Sequence, residues 1–322
     1  MSAADGVLRI GSRGSKLALW QAHHIADRLR NAGHEVSLEI IKTLGDAMQH
    51  VPFAEVGGTE RDAKGMFTKE IEEALYAGRI DLAVHSLKDL PTEIAEPFTI
   101  AAIPERVDPR DAFVSVRHES FEALPHGARI GTSSLRRQAQ LKAQRPDATC
   151  VEFRGNVDTR LRKLAEGQVD AIILASAGLE RLGLTAHRRE CFSPLVLCPA
   201  AGQGALAIEV RADDARTLAA LSFLDDAATR YAVTAERATL AALGGGCQVP
   251  IGVHCFRGDE GYSVVSAVAV PDGSEVLRVV MDRQRDVGAE ALGRKVAAEL
   301  LGQGAARLLG AETPGSAPVG AA

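Results

Sequence analysis

Alternation is the strongest constraint on this chain. Over its first two-thirds, short apolar runs of strand character alternate with segments of helical period. Val7–Gly11 reads as a strand. Ser15–Asn31 reads as a helix, with Leu17, Trp20, Ala22, Ile25 and Leu29 near helical spacing and Gly33 after it. Val36–Lys42 reads as a strand and Phe67–Ala77 as a helix stopped by Gly78; Ile80–His85 and Phe98–Ile103 read as strands. The scheme repeats after a Pro- and charge-rich break at Pro104–Asp111. Ala112–Val116, Arg129–Gly131, Cys150–Phe153 and Ala171–Ala175 read as strands, with helices over Ser134–Gln144 and Asn156–Glu166. A chain of this pattern folds into mostly parallel sheets with helices on both faces.

A second break, Pro199–Gly204, precedes a further strand, Ala205–Val210. Two breaks imply two crossings between two doubly wound lobes, and two lobes joined in this way enclose a cleft. The last hundred residues differ. A helical pattern covers Ala227–Leu243, and a glycine-rich segment, GGGCQVPIG, follows at Gly244–Gly252. Strands Tyr262–Val270 and Glu275–Met281 are joined by a PDGS turn, and a helix over Gly288–Leu309 closes an α+β unit. The expected division is 1–104 with 200–224, then 105–199, then 225–312, with 313–322 as a disordered tail.

Composition sets the class. The chain has 322 residues, 46% of them apolar and 25% charged, as in an ordinary soluble globular protein. No apolar run approaches the length of a bilayer span. Met1–Gly14 lacks a basic segment followed by an apolar stretch, so the expected location is cytoplasmic. Five cysteines without a close CxxC pair argue against a disulfide framework and a thiolate metal site.

Charge is uneven. Between Arg129 and Lys163 nine basic residues face three acidic ones, which leaves the rest of the chain at −11 against −5 overall. Phe153 is the only aromatic residue in that window, so a base-stacking nucleic-acid platform is poorly supported. A pocket for a small polyanion fits better. Two strand-to-helix turns inside the window supply it. GTSSLRRQ offers Thr132, Ser133 and Ser134 at a helix start with Arg136 and Arg137 in the first turn. FRGNVDTR offers Gly155 for a tight turn, Asn156 as a cap, and Arg154 and Arg160 on either side.

Two more strand ends carry candidate groups. HSLKDLP places Lys88 and Asp89 where open α/β sheets bind ligands, although an aspartate there can also serve only as a cap. SRGS supplies Arg13 and a capping Ser15. In GGGCQVP, three glycines put Cys247 in an accessible setting that a core cysteine would not need. A nucleophilic cysteine would want a histidine base, and only His85 and His254 offer themselves.

Together these segments resemble the porphobilinogen deaminase (hydroxymethylbilane synthase) family. The resemblance runs from about Leu8 to Gly310 through RIGSRGSKLALWQA, KTLGD, HSLKDLPTE, DPRDAF, GTSSLRRQAQL, RGNVDTRL, DAIILASAGLERLGL, PAAGQGA, TAERA and GGGCQVPIG, in family order. It implies two lobes like those of bilobal, type II periplasmic-binding-protein-like domains, plus an α+β domain that carries the cofactor. It implies a transferase of tetrapyrrole and heme biosynthesis that joins four porphobilinogen molecules head to tail, with release of ammonia, into linear hydroxymethylbilane. It implies a dipyrromethane cofactor on a thioether at Cys247, so that the thiol is an anchor and needs no histidine base. Asp89 becomes the catalytic carboxylate, since loss of ammonia leaves an azafulvene whose positive pyrrole nitrogen a carboxylate stabilises.

Each ring carries an acetate and a propionate, which explains the arginines. The resemblance implies that Arg13, Arg136, Arg137, Arg154, Arg160 and Arg181 hold carboxylates. Ser15, Lys88, Thr132, Ser133 and Ser134 contact the cofactor or growing chain, with Gln21 and Gln203 as further contacts. It implies no metal, a monomer, and a transient hand-over of product to uroporphyrinogen-III synthase. The segment Ala47–Gly65 looks longer than the family's mobile lid, and no lid residue is assigned. A non-catalytic two-lobed anion-binding protein would share the lobes, hinge and arginines, but would not explain GGGCQVP. A nucleic-acid-binding protein would explain the basic window alone, with binding that falls steeply in salt.

Overall fold

A computed structural model of the chain describes residues 6–43, 60–244 and 249–310. In chain order the elements are β1 (Leu8–Ser12), α1 (Lys16–Asn31), β2 (Val36–Ile40), α2 (Glu60–Tyr76), β3 (Leu82–Ser86) and β4 (Phe98–Ala102). Then follow β5 (Asp111–Val114), β6 (Arg129–Gly131), α3 (Leu135–Gln144), β7 (Thr149–Val151), α4 (Val157–Ala165), β8 (Ala171–Ala175), α5 (Ser176–Arg181) and β9 (Arg188–Cys191). The chain returns through β10 (Leu206–Arg211) and α6 (Ala215–Leu221). It ends with α7 (Ala227–Ala242), β11 (Ile251–Gly258), β12 (Gly261–Ala269), β13 (Val276–Gln284), α8 (Ala289–Gly302) and α9 (Ala305–Leu308).

The first sheet has the order β2-β1-β3-β10-β4, and the second has the order β7-β6-β8-β5-β9. The two orders are equivalent. In each, three strands pair in parallel and one strand in the fourth position runs antiparallel to both neighbours. That antiparallel strand is always the one arriving from the other lobe: β5 enters the second sheet and β10 re-enters the first. The α/β reading of two lobes holds, and the sheets are mixed because each crossing delivers its strand from the opposite side.

Both faces of each sheet are covered. Ile25 and Leu29 of α1 pack with Leu8, Ile10 and Leu82 on one face of the first sheet. Ile71 and Leu75 of α2 pack with Ile80 and Ala83 on the other. In the second sheet Leu141 of α3 joins Phe113 and Ile130, while Leu164 of α4 joins Ile172 and Leu174. The third unit is an antiparallel sheet, β11-β12-β13, covered by α7 and α8 around Val253, Val264, Val268, Leu292 and Val296.

Several boundaries differ from expectation. β11 was hidden in what reads as an extension of the glycine-rich segment. The closing helix is two helices, interrupted at Gly304, whose φ of +97° ends the run. The second helix begins at Glu60, since Glu, Arg, Ala and Lys of the charged ERDAK stretch are good helix formers. Asn156 occupies the cap position of α4 but makes no side-chain cap hydrogen bond. Cys247 and residues 44–59 of the lid segment lie outside the described residues, as does the 313–322 tail.

The two crossing segments lie against each other and against α7. A Cβ on Gly204 would sit 2.6 Å from the Val107 carbonyl oxygen, so only glycine permits this approach. Glu236, fully buried on α7, ties the junction together. Its Oε1 accepts from Arg106 Nη1 at 2.7 Å and from the Cys255 amide at 2.8 Å; its Oε2 accepts from the Gly202 amide at 2.7 Å. Arg106 also donates to the Gln203 carbonyl at 2.7 Å. Burial works to raise the Glu236 carboxyl, but Arg106 and His254 overrule it and hold it below its ordinary value. Removing one partner of such a pair strands the other, so Glu236→Ala is expected to cost about 3–5 kcal/mol. A marked fall in the urea midpoint of unfolding is the expected result.

Candidate functional site

The site is built where strands of both lobes end. In the first lobe β1 delivers Arg13, half-buried, and the Ser15 hydroxyl caps α1 by accepting from the Ala18 amide at 3.3 Å. β3 runs into a short 3-10 turn, Leu87–Asp89. Leu87 and Leu90 are buried on either side of the turn, which leaves Lys88 half-buried and Asp89 exposed. Gln21, buried on α1, donates to the Ser86 hydroxyl at 2.8 Å and so fixes the end of β3.

In the second lobe β6 ends at Gly131, where a Cβ would collide with the Phe153 ring at 2.7 Å. Thr132 Oγ1 accepts from the Ser134 amide at 3.2 Å, and Ser134 Oγ caps α3 by accepting from the Arg137 amide at 3.4 Å. Ser133 Oγ accepts from the Phe153 amide at 2.9 Å, which stitches the two anion-seeking turns together. Beyond Phe153, Arg154 pairs with Glu152 at 2.6 Å. Gly155, at φ +120°, turns its carbonyl toward Arg160 Nε at 2.7 Å.

Two arginines are used differently from expectation. Arg136 and Arg137 both turn to Asp111, a fully buried aspartate that opens β5. Arg136 Nη1 lies 2.8 Å from Asp111 Oδ2, and Arg137 Nη2 lies 2.6 Å from Oδ1. Arg137 also donates to the Ile173 carbonyl at 3.1 Å. Burial alone would raise the Asp111 carboxyl, but the two guanidiniums hold it far below the carboxylate range. Asp111 escapes the sequence reading. The available signal is an acidic residue opening a strand, DAFV, whose four residues are all buried.

Asp111 also reaches the crossing. Gln203, fully buried, donates through Nε2 to Asp111 Oδ1 at 2.9 Å and to the Pro109 carbonyl at 2.6 Å. Its Oε1 accepts from Lys88 Nζ at 3.4 Å. Gln203 therefore links the Lys88–Asp89 turn of one lobe to the arginine cluster of the other. Arg181, buried at the end of α5, donates through Nη2 to the Gly204 carbonyl at 2.7 Å, while its buried Nε has no hydrogen-bond partner.

The cations are crowded. Burial brings Lys88 down to about 8, with Arg137 and Arg136 pushing the same way against Asp89 and Asp111. Burial brings Arg160 down to about 10, helped by repulsion from Arg137 and Arg154. Arg181 also falls to about 10 through burial, opposed by Glu180 and Asp89. A polycarboxylate entering here would relieve all three. His85 and His254 are occupied elsewhere: His85 Nε2 lies 3.1 Å from Glu209, and His254 Nδ1 lies 3.5 Å from Glu236. Cys198 and Cys255 are buried core thiols, and burial pushes Cys198 up to about 12. Among the described residues no cluster of metal-ligating side chains occurs.

The Lys88 amine is therefore expected to titrate near 8, below the ordinary lysine value of about 10.4. Between those values the unfolded chain binds the extra proton, so this group adds stability as pH rises through that window. Carbon-13 NMR of the reductively methylated protein tests this, with Lys88→Arg assigning the signal among the eight lysines. A midpoint near the ordinary value would contradict it.

Comparison with known proteins agrees with this arrangement. A family model described as "Porphobilinogen deaminase, dipyromethane cofactor binding domain" matches residues 8–219, and the model of the C-terminal domain of the same family matches 230–302. A porphobilinogen deaminase of Nitratidesulfovibrio vulgaris (strain Miyazaki F) is 52% identical over 315 residues, covering 96% of this chain and 98% of the relative. A porphobilinogen deaminase of Roseiflexus sp. (strain RS-1) is also 52% identical, over 307 residues, covering 94% of this chain and 98% of the relative. A nutrient binding protein from Burkholderia cenocepacia bound to methionine is a distant structural likeness, at 14% identity and a TM-score of 0.40 over 66% of this chain and 89% of its own. Identity of this extent, along nearly the whole length of both chains, places the protein: it belongs to the porphobilinogen deaminase family.

Proposed function

We propose that Asp89 is the catalytic carboxylate of this family's reaction in the present chain, and that the cation cluster around it holds the growing polycarboxylate. The reaction deaminates four porphobilinogen molecules and polymerises them into hydroxymethylbilane on a dipyrromethane primer. The observation that carries the residue assignment is the exposed Asp89 carboxylate on a rigid turn, flanked by Lys88 and within the field of Arg181.

The residues present fit the dipyrromethane group. Its four carboxylates suit a cleft where Arg160 and Lys88 are held down by burial and by neighbouring cations, and where the Arg181 Nε–H has no protein partner. Bound through the Cys247 sulfur, the group would supply the free pyrrole carbon to which the first unit is joined, each later unit joining the ring before it. Asp89 stabilises the positive pyrrole nitrogen that develops as ammonia leaves the substrate, and it accepts a hydrogen bond from that N–H. Arg13, Arg154, Arg160 and Arg181 bind acetate and propionate groups as charge-assisted pairs. Lys88 adds a compact charge next to Asp89, and Gln203 holds it there.

For Arg136 and Arg137 the reading is narrower. Their bonds to Asp111 support a positioning role for the GTSSLRRQ turn, with carboxylate binding through the N–H groups that remain. Ser15, Thr132, Ser133 and Ser134 shape the helix starts that present backbone amides to the chain. Gln21 supports the reading by fixing Ser86.

The proposed division is two α/β units, 1–104 with 200–224 and 105–199, and a cofactor-carrying unit at 225–312. Strand membership of the sheets supports it. We further propose a cytoplasmic monomer that binds neither nucleic acid nor membrane and hands its product transiently to uroporphyrinogen-III synthase. Among the described residues no helix is long and apolar enough to cross a membrane.

Intact mass of the purified chain beside Cys247→Ala tests the anchor. The expected excess equals two linked pyrrole units and is absent in the variant. Asp89→Asn is expected to keep the fold and the bound pyrroles but to lose about 10²- to 10³-fold in turnover, the scale of one electrostatic stabiliser. Near-normal turnover would remove Asp89 from its role. Failure to add pyrrole mass on incubation with porphobilinogen would favour a binding protein.

A further inference from the structure

One face of α1 is not used by the lobe that α1 belongs to. Ala22, Ile25, Ala26 and Leu29 face the core of the first sheet. Lys16, Trp20 and His24, at successive four-residue steps, form a separate stripe. All three are exposed, although Trp20 is a large aromatic residue. The stripe meets the second lobe. Lys16 Nζ lies 3.1 Å from Asp158 Oδ2 on α4, and α1 packs against α5. The Arg181 guanidinium at the end of α5 sits 6.0 Å above the Trp20 ring. Behind the ring, His24 stacks on Trp20 with centroids 5.1 Å apart and planes 6° from parallel.

We propose that this stripe is an interlobe latch, in which Trp20 positions Arg181 and the Lys16–Asp158 pair closes the mouth of the cleft. Arg181 is held from two sides, by the Gly204 carbonyl of the crossing segment and by the Trp20 face from the first lobe. Its Nε–H is left without a protein partner. The ring therefore helps to fix a guanidinium that keeps hydrogen-bonding capacity to spare. Every contact in the stripe is weak by itself. An exposed ion pair contributes little, and a cation–π contact on a half-open ring corresponds to about two- to fivefold in an equilibrium, rising where the cation is buried as Arg181 is. Weak contacts suit a seam that must release as each added ring widens the cleft and must close again after the product leaves. The inference rests on the reading of the cleft as the site of elongation.

Trp20 is the only tryptophan in the chain, so its fluorescence reports this seam alone. Holoenzyme is titrated with porphobilinogen, rings added are counted by native mass spectrometry, and acrylamide quenching of Trp20 is measured on the same samples. The expected result is a quenching constant that rises about two- to fivefold as rings are added, and an Asp158→Ala variant in which it is already raised before substrate. Trp20→Ala is expected to raise KM for porphobilinogen by a similar factor, with Trp20→Phe restoring it, whereas a purely structural role would lower thermal stability and leave KM alone. Rings added with unchanged quenching would overturn the latch and leave the elongation reading intact. No rings added would overturn the elongation reading, and the latch with it. Should Trp20→Ala not fold, the quenching of the wild-type chain and of Asp158→Ala decides the matter.

Discussion

The Glu236 carboxylate is the interaction on which the rest of the structure depends. It sits on a helix of the third unit but belongs equally to both crossings, since Arg106 comes from one and Gly202 from the other. Its third donor, the Cys255 amide, lies within β11, the strand that follows the glycine-rich segment. Two lobes joined by two extended segments would otherwise move on a loose hinge. Four charge-assisted or backbone hydrogen bonds on one buried carboxylate make the junction a fixed point, and motion is left to the seams further out. The unit that carries the glycine-rich loop is thereby referenced to the hinge rather than to either lobe.

A second buried carboxylate carries that order into the site. Asp111 lies at the end of the first crossing, as the first residue of β5, and holds Arg136 and Arg137, so the start of α3 is tied to the hinge. Gln203 closes the loop, bonded to Asp111 on one side and to Lys88 on the other. A chain of buried polar groups therefore runs from Glu236 through the Arg106–Gln203 contact to Asp111 and to the turn bearing Asp89. Each member is long-range in sequence, and each is satisfied by another member, which is the condition under which buried polar networks specify one arrangement.

This chain of contacts also explains what was legible in the sequence. Local physics was readable: Ser15 and Ser134 cap helices, and the strand-end turns carry the polar groups. The two-lobe pattern followed from period and punctuation. The partners of buried charge were not readable, because Asp111 and Glu236 look like surface residues in charged motifs until residues 25 and 130 positions away are brought to them. For the same reason the sequence shows Arg136 and Arg137 as ligand candidates but not their shared bond to Asp111. β11 escapes the sequence reading because its first two residues, Ile251 and Gly252, close the glycine-rich run and its last three are exposed.

The contrast between the two sets of cations is the last step. Arg136 and Arg137 share one carboxylate, Asp111, which holds the turn they belong to. At Lys88, Arg160 and Arg181 it is chiefly desolvation that destabilises the protonated form, with neighbouring guanidiniums adding to it at Lys88 and Arg160. At Lys88 the carboxylates of Asp89 and Asp111 oppose the shift, and at Arg181 those of Glu180 and Asp89; at Arg160 the neighbouring charges are those of Arg137 and Arg154, so a ligand carboxylate gains most there. The network of Glu236 and Asp111 is what allows a cleft lined by so many cations to keep its shape, and the weak Trp20 seam is what allows the same cleft to widen without breaking the network.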